Sequence, residues 1–249
     1  MSSIHGGSTA PAREDRRSSF GQADAPHAAA DAFSGLDDVV LVARRRRFEW
    51  IIPFGVTACY ALFALAVHLR LLDALDLAVR RMTRAGEVWG PAQVRANNVA
   101  HALEPAHLAL PLLIFTAVLS VARRSLRPVA VVAVVGTPVA IVTLGSKWIM
   151  AHTEGDAAPV GHGSFPSGHM VSIIMVFGLV VLLLAPRTRW GWMLPAFMGC
   201  FMGWLLLVAF VHPATDVVGA ALLAAAALTA ARTARLGHWA SDRQSGSVG

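Results

Sequence analysis

Residues 128–150 read PVAVVAVVGTPVAIVTLGSKWIM, a run in which Lys147 is the only charged side chain. So long an apolar stretch is more than the core of a small soluble domain needs. It matches the roughly 20 residues that cross a hydrocarbon layer of about 30 Å. Five other runs have the same character: Trp50–Leu69, Val99–Val121, His169–Ala185, Trp190–Val211 and Ala214–Ala234. The composition agrees, since 55% of the 249 residues are hydrophobic, only 14% are charged, and the mean hydropathy is +0.57. These features predict an all-α bundle of six transmembrane helices and exclude an ordinary soluble domain.

The net charge of +6 and the pI near 10.8 raise the question of nucleic acid. The arginines, however, sit beside the apolar runs, as the positive-inside rule requires, so the bilayer and not nucleic acid is the expected partner. Arg44–Arg47 precede the first run, Arg123, Arg124 and Arg127 separate the second and third, Arg187 and Arg189 the fourth and fifth, and Arg232 and Arg235 follow the sixth. Every second connection is therefore basic. This predicts cytoplasmic N- and C-termini in a plasma membrane, and the Ala- and Arg-rich composition suggests a bacterial one. The connections around 70–98, 151–168 and 212–213 then face outward, although the first also carries Arg70, Arg80, Arg81, Arg84 and Arg95.

Residues 1–47 are rich in Ser, Ala, Gly, Asp and Arg without an apolar period and predict a disordered cytoplasmic tail; residues 48–235 form the membrane domain, and 236–249 a short polar tail. The first apolar run follows the long tail and can span, which predicts an uncleaved anchor and not a secretory leader. Cys59 and Cys200 fall inside predicted spans and are expected to be small packing residues. In the first outward connection, Leu71, Leu72, Leu75, Leu77, Ala78 and Val79 alternate with Asp73, Asp76, Arg80, Arg81 and Arg84 as a short amphipathic helix would. It either lines a lipid entrance or ties two spans together.

Ionisable groups are costly in a membrane, so their clustering at one predicted level marks a candidate site. Lys147 ends the third span and is followed by His152, Glu154, Asp156 and His162; Ser167 and His169 open the fourth; His212 follows the fifth, and Asp216 lies in the sixth. In Pro166-Ser167-Gly168-His169, Ser167 is a good N-cap and Gly168 admits close approach. The first-turn N–H groups then form an anion site, with His169 placed to protonate a leaving oxygen. Asp216 lies four residues after His212, one helical turn, where its carboxylate can fix the imidazole tautomer and leave the other nitrogen to attack. Lys147 offers a point positive charge to a phosphate.

These residues resemble the motifs of the type 2 phosphatidic acid phosphatase family, which is related to the vanadium haloperoxidases: KxxxxxxRP, PSGH and SRxxxxxHxxxD. The second motif is complete as Pro166-Ser167-Gly168-His169, and His212 and Asp216 keep the spacing of the third. The resemblance spans about residues 50–235. It implies six spans with the site at the extracytoplasmic helix ends, His212 as nucleophile oriented by Asp216, His169 as proton donor, and Lys147, Ser167 and Gly168 as phosphate-binding groups. It implies no metal or other cofactor.

Two departures stand against it. Glu154-Gly155 occupy the place of the first motif's Arg-Pro, and Leu205-Leu206 that of the third motif's Ser-Arg. A hydrogen bond to a charged group contributes about 1.5–3 kcal/mol, so loss of two guanidinium contacts removes roughly 3–6 kcal/mol unless other groups compensate. Candidates to do so are Arg80, Arg81, Arg84, Arg95, His152 and His162. Three functions follow: a lipid phosphate or isoprenoid pyrophosphate phosphatase working through a phosphohistidine, a pseudo-phosphatase that binds lipid phosphate, and a structural or partner-binding membrane protein.

His101, Glu104 and His107 recur every three residues after Asn97 and Asn98. Glu104-Pro105-Ala106-His107 has the Glu-x-x-His spacing of carboxylate-bridged metal sites, but those need a second copy. A polar wall of the outward pocket and plain helix packing are the other readings.

Overall fold

The computed structural model describes residues 48–83, 89–149 and 164–241. The expected N-terminal tail, and with it Arg84, His152, Glu154, Asp156 and His162, lies outside these residues. The described chain is helical: α1 (Ile51–His68), α2 (Asp73–Thr83), α3 (Pro91–Ala102), α4 (Pro105–Ala122), α5 (Arg127–Ile149), α6 (Gly168–Leu184), α7 (Met193–Val208, entered through a 3-10 turn at Trp190–Trp192), α8 (Ala214–Thr233) and α9 (Leu236–Ser241). Among the described residues five segments are long and apolar enough to cross a membrane, and α6 is a shorter apolar helix.

The bundle is built around α6 and α8. Met170, Ile173, Ile174, Leu179, Leu182 and Leu183 bury several sides of α6, which packs against α4, α7 and α8. Helix α8 packs on α1 and α6 through small residues such as Gly219, Ala220, Ala224 and Ala231. A Cβ on Gly178 would come within 2.3 Å of Leu228, so the α6–α8 approach depends on the missing side chain.

Toward the periphery the usual pattern inverts. Phe54, Leu62, Leu113, Val134, Leu144 and Phe197 point away from the bundle, while the hydroxyls of Thr116 and Thr143 are buried. Each buried hydroxyl donates one turn back, Thr116 to the Leu112 carbonyl at 2.6 Å and Thr143 to that of Val139 at 2.8 Å. In hydrocarbon an unpaired hydroxyl is expensive, and this bond removes the cost inside the helix itself. Cys59 and Cys200 are free and exposed on the same apolar exterior, so they are not the packing residues expected from their position in the spans.

The second span is not one helix. It breaks at Leu103-Glu104 into α3 and α4, with Glu104 extended (φ −59°, ψ 152°) ahead of Pro105. Proline bars the α conformation at the residue before it, which sets the break.

At one end of the bundle the arginines do more than sit near a membrane surface. Arg123 donates to the carbonyls of Leu183 and Ala240, at 3.0 and 3.1 Å, and so closes the C-terminus of α6 and holds α9. Arg127 donates to the Trp239 carbonyl at 3.2 Å, and Arg232 lies over Trp192. Residues 236–241, inside the stretch expected as a polar tail, form α9 with Gly237 and Ala240 buried.

Four described helices end on a non-glycine residue in the left-handed region: Arg70 (φ 58°), Arg124 (φ 48°), Phe210 (φ 57°) and Arg235 (φ 56°). After α7, Val211 N–H donates to the Leu206 carbonyl at 3.1 Å and Phe210 N–H to that of Leu207 at 3.3 Å. That is a Schellman closure, and it turns the chain sharply into the segment carrying His212.

Candidate active site

The candidate residues gather at the end of the bundle opposite Arg123 and Arg127, and they do so through backbone junctions. Ser167 caps α6: its hydroxyl accepts from Met170 N–H at 3.5 Å, and its own N–H donates to the Asp216 carbonyl at 3.2 Å. The Pro-Ser-Gly-His turn is thereby fastened to the start of α8. Phe165, just before it, is fully buried and stacked on Tyr60 with ring centroids 6.3 Å apart; its ring edge lies 2.3 Å from where a Cβ on Gly219 would be. Only a glycine at 219 lets the turn settle onto α8 in this way. Lys147, at the end of α5, donates to the Ser164 carbonyl at 3.2 Å. The last turn of α5 is also tied to α1, where the Tyr60 and Ser146 hydroxyls are 3.1 Å apart.

The His212-Asp216 pair adopts the geometry its spacing predicts. His212 Nδ1 lies 3.0 Å from Asp216 Oδ2, the histidine side chain is 9% exposed and the carboxylate 0%. A buried carboxylate accepts the Nδ1 proton, which puts the lone pair on Nε2. The other carboxylate oxygen, Oδ1, is buried without a hydrogen bond among the described residues. His169, on the first turn of α6, faces His212 edge-on with ring centroids 6.0 Å apart. One imidazole is thus oriented by a carboxylate, a second stands across a gap, and a helix N-terminus and a lysine lie beside them. The ensemble has the groups to hold anionic oxygens, attack the electrophilic atom that bears them and supply a proton.

The structure brings Lys147, Ser167, Gly168, His169, His212 and Asp216 together. Leu205 and Leu206 are packed inside the bundle, 3% and 0% exposed, so these two positions bring no charge to the site. Glu154 and its neighbours lie outside the described residues. Arg81 and Arg95 are exposed on α2 and α3.

The α3–α4 break borders the site, since Pro105 Cγ lies 3.7 Å from where a Gly168 side chain would begin. His101 Nδ1 pairs with Glu104 Oε1 at 2.5 Å, and His107 Nδ1 donates to the His101 carbonyl at 3.2 Å. Their spacing therefore serves local pairing across a proline break. Among the described residues no cluster of three or more His, Cys, Asp or Glu could hold a metal ion.

One contact was not readable from any motif. Asp76 of α2 accepts from Thr215 N–H at 2.9 Å through Oδ1 and from the Thr215 hydroxyl at 2.7 Å through Oδ2. The amphipathic helix is thus latched beside Asp216. A charged residue one turn into a predicted interfacial helix was the available signal, but its partner lies 139 residues away.

No family model matches the sequence, and no curated protein matches it. Among solved structures the chain is similar to the first transmembrane PAP2-type phosphatidylglycerolphosphate phosphatase from Bacillus subtilis, with a TM-score of 0.58 and 20% identity, over 71% of this chain and 92% of that one. This likeness and the all-helical architecture show that the chain has the fold of a transmembrane PAP2-type phosphatase.

Proposed function

We propose that the protein is a divergent member of the type 2 phosphatidic acid phosphatase family that hydrolyses a lipid phosphate or pyrophosphate at the outer face of a membrane. The observation that carries this reading is the His169–His212–Asp216 constellation, with one imidazole held by a buried carboxylate and the other 6.0 Å across from it. Lys147 and the helix start formed by Ser167 and Gly168 bind the phosphate oxygens. His212 Nε2 attacks phosphorus, and the phosphorus–oxygen bond to the leaving group breaks with its electron pair going to oxygen. His169 supplies the proton that makes that oxygen a neutral alcohol, or a less charged phosphate when the substrate is a pyrophosphate. Water then attacks the phosphohistidine with His169 taking its proton; the phosphorus–nitrogen pair returns to Nε2 and phosphate leaves. Asp216 keeps the proton of His212 on Nδ1 throughout.

A binder of lipid phosphate with little turnover is the second reading, and the leucines at 205 and 206 favour it. Released phosphate from phosphatidic acid, isoprenoid phosphate and isoprenoid pyrophosphate separates the two, measured on protein in detergent for wild type and His212→Ala. The phosphatase reading expects release that His212→Ala abolishes, with an acid-labile phosphoryl adduct on wild type. Equal release from both proteins, or none from either, overturns it.

A further inference from the structure

The third-motif position that carries a guanidinium in the resembled family is here Leu206, fully buried on α7. A different guanidinium approaches the same chain reversal from outside. Helix α2 is latched to the start of α8 by Asp76, which takes two hydrogen bonds from Thr215, a residue 1% exposed and adjacent to Asp216. Arg80 lies four residues after Asp76, one turn along the same face of α2. Its Cζ stands 4.4 Å from the centroid of the Phe210 ring, and its Nε is shielded from solvent. Phe210 precedes His212 by two residues. The carbonyl of Leu206 accepts the N–H of Val211, so the reversal that carries Phe210 closes on the helix turn where the motif arginine would stand.

We propose that Arg80 is a phosphate-binding residue of this site and takes over, from α2, the charge that position 206 lacks. The proposal rests on the phosphatase-like reading of His212 and adds a specific ligand to it. Stacking on Phe210 uses the face of the guanidinium, whereas phosphate recognition uses its in-plane N–H groups, so one side chain serves both contacts. The ring thus sets the plane of the fork two residues before His212, and the Asp76 latch fixes the helix that delivers it. An arginine held in this way, on the amphipathic helix α2 beside the start of α8, meets the phosphate of an amphiphile whose tails stay in the bilayer. It binds the phosphate monoester or pyrophosphate group itself and is indifferent to the rest of the headgroup.

The test uses the full chain in detergent. Arg80→Met keeps an apolar stem to pack on Phe210 and removes the charge; Arg80→Lys keeps the charge and removes the fork. Loss of one hydrogen-bonded charge contact predicts a fall in kcat/KM of roughly tenfold to a hundredfold for Arg80→Met. A matching rise in the inhibition constant of inorganic phosphate is expected, with Arg80→Lys between the two and melting temperatures close to wild type. A clamp that only supports Phe210 would instead lower the melting temperature and leave phosphate inhibition unchanged. In wild-type protein, inorganic phosphate should also protect Arg80 from phenylglyoxal, read by mass spectrometry. Wild-type kcat/KM and phosphate inhibition in a folded Arg80→Met, or labelling of Arg80 unaffected by phosphate, overturns the proposal. If wild type releases no phosphate, the hydrolytic reading fails by itself. Binding of a short-chain phosphatidic acid to wild type and Arg80→Met then decides the role of Arg80, with equal affinities refuting it.

Discussion

Asp216→Asn separates catalytic work from structural work at the centre of the site. The wild-type carboxylate is 0% exposed and spends one oxygen on His212 Nδ1 at 3.0 Å, while the other has no hydrogen bond among the described residues. Burying an ion costs several kcal/mol, and a single hydrogen bond recovers only part of it, so the native residue is a local liability for stability. Asparagine has nearly the same shape and no charge. Its amide can meet Nδ1 in two ways. With the oxygen toward Nδ1, the tautomer survives but the charge-assisted bond is lost, about 1.5–3 kcal/mol or roughly ten- to a hundredfold in rate. With the NH2 toward Nδ1, the ring must accept there and carry its proton on Nε2, which removes the attacking lone pair; the analogous exchange in a Ser-His-Asp triad costs about 10⁴-fold. The expected result is therefore a kcat loss between these limits, with a thermal midpoint equal to or above that of wild type. Phosphate release and a melting curve on the same preparation measure both. Activity within about threefold of wild type, or a midpoint that falls along with activity, would refute the orienting role and make Asp216 a structural residue.

His169→Ala is expected to lower turnover of an alkyl phosphate by about 10²–10⁴-fold yet spare much of the rate on p-nitrophenyl phosphate, whose leaving group needs no proton; equal losses on the two substrates would remove His169 as the acid. Gly219→Ala puts a methyl group 2.3 Å from the buried Phe165 ring, and overpacking of this kind costs about 1–3 kcal/mol. Because Phe165 leads into the Pro-Ser-Gly-His turn, a lowered melting temperature with a raised KM is expected, and an unchanged protein would show that the turn does not depend on this contact.

The spans were legible because a membrane demands length and apolarity, both one-dimensional properties. The His212–Asp216 pair was legible from its spacing, although His212 precedes the extended N-cap Pro213 and Asp216 reaches back to it from the first turn of α8. The amphipathic pattern that begins at Leu71 correctly indicated the helix Asp73–Thr83. What escaped were the features that depend on a partner distant in the chain. Asp76 reads as an ordinary acidic residue near a helix start until Thr215 is placed beside it. Arg123 and Arg127 read as topology signals, and the carbonyls they close, at Leu183, Trp239 and Ala240, carry no sequence signature at all. The break before Pro105 was available from the proline alone, but hydropathy averages over it, so a continuous span was expected where two helices meet.

The left-handed helix ends link these observations. A non-glycine residue in that region costs on the order of 1–3 kcal/mol in a sparsely populated conformation, and glycine would adopt it freely. At Arg70, Arg124 and Arg235 the side chain is a long cation at the end of a helix, where it complements the helix dipole and offsets some of that cost. Phe210 has no such compensation from its own chemistry, yet it stands two residues from the candidate nucleophile with a guanidinium over its ring. Such strain persists only when the surroundings over-determine it. Here the Schellman closure onto Leu206 and the stacked Arg80 both hold Phe210, and Asp76 holds the helix that carries Arg80. An unfavourable backbone angle, a buried leucine where the resembled motif has arginine, and an arginine stacked from another helix meet at one chain reversal, which is the arrangement that the proposed role of Arg80 requires.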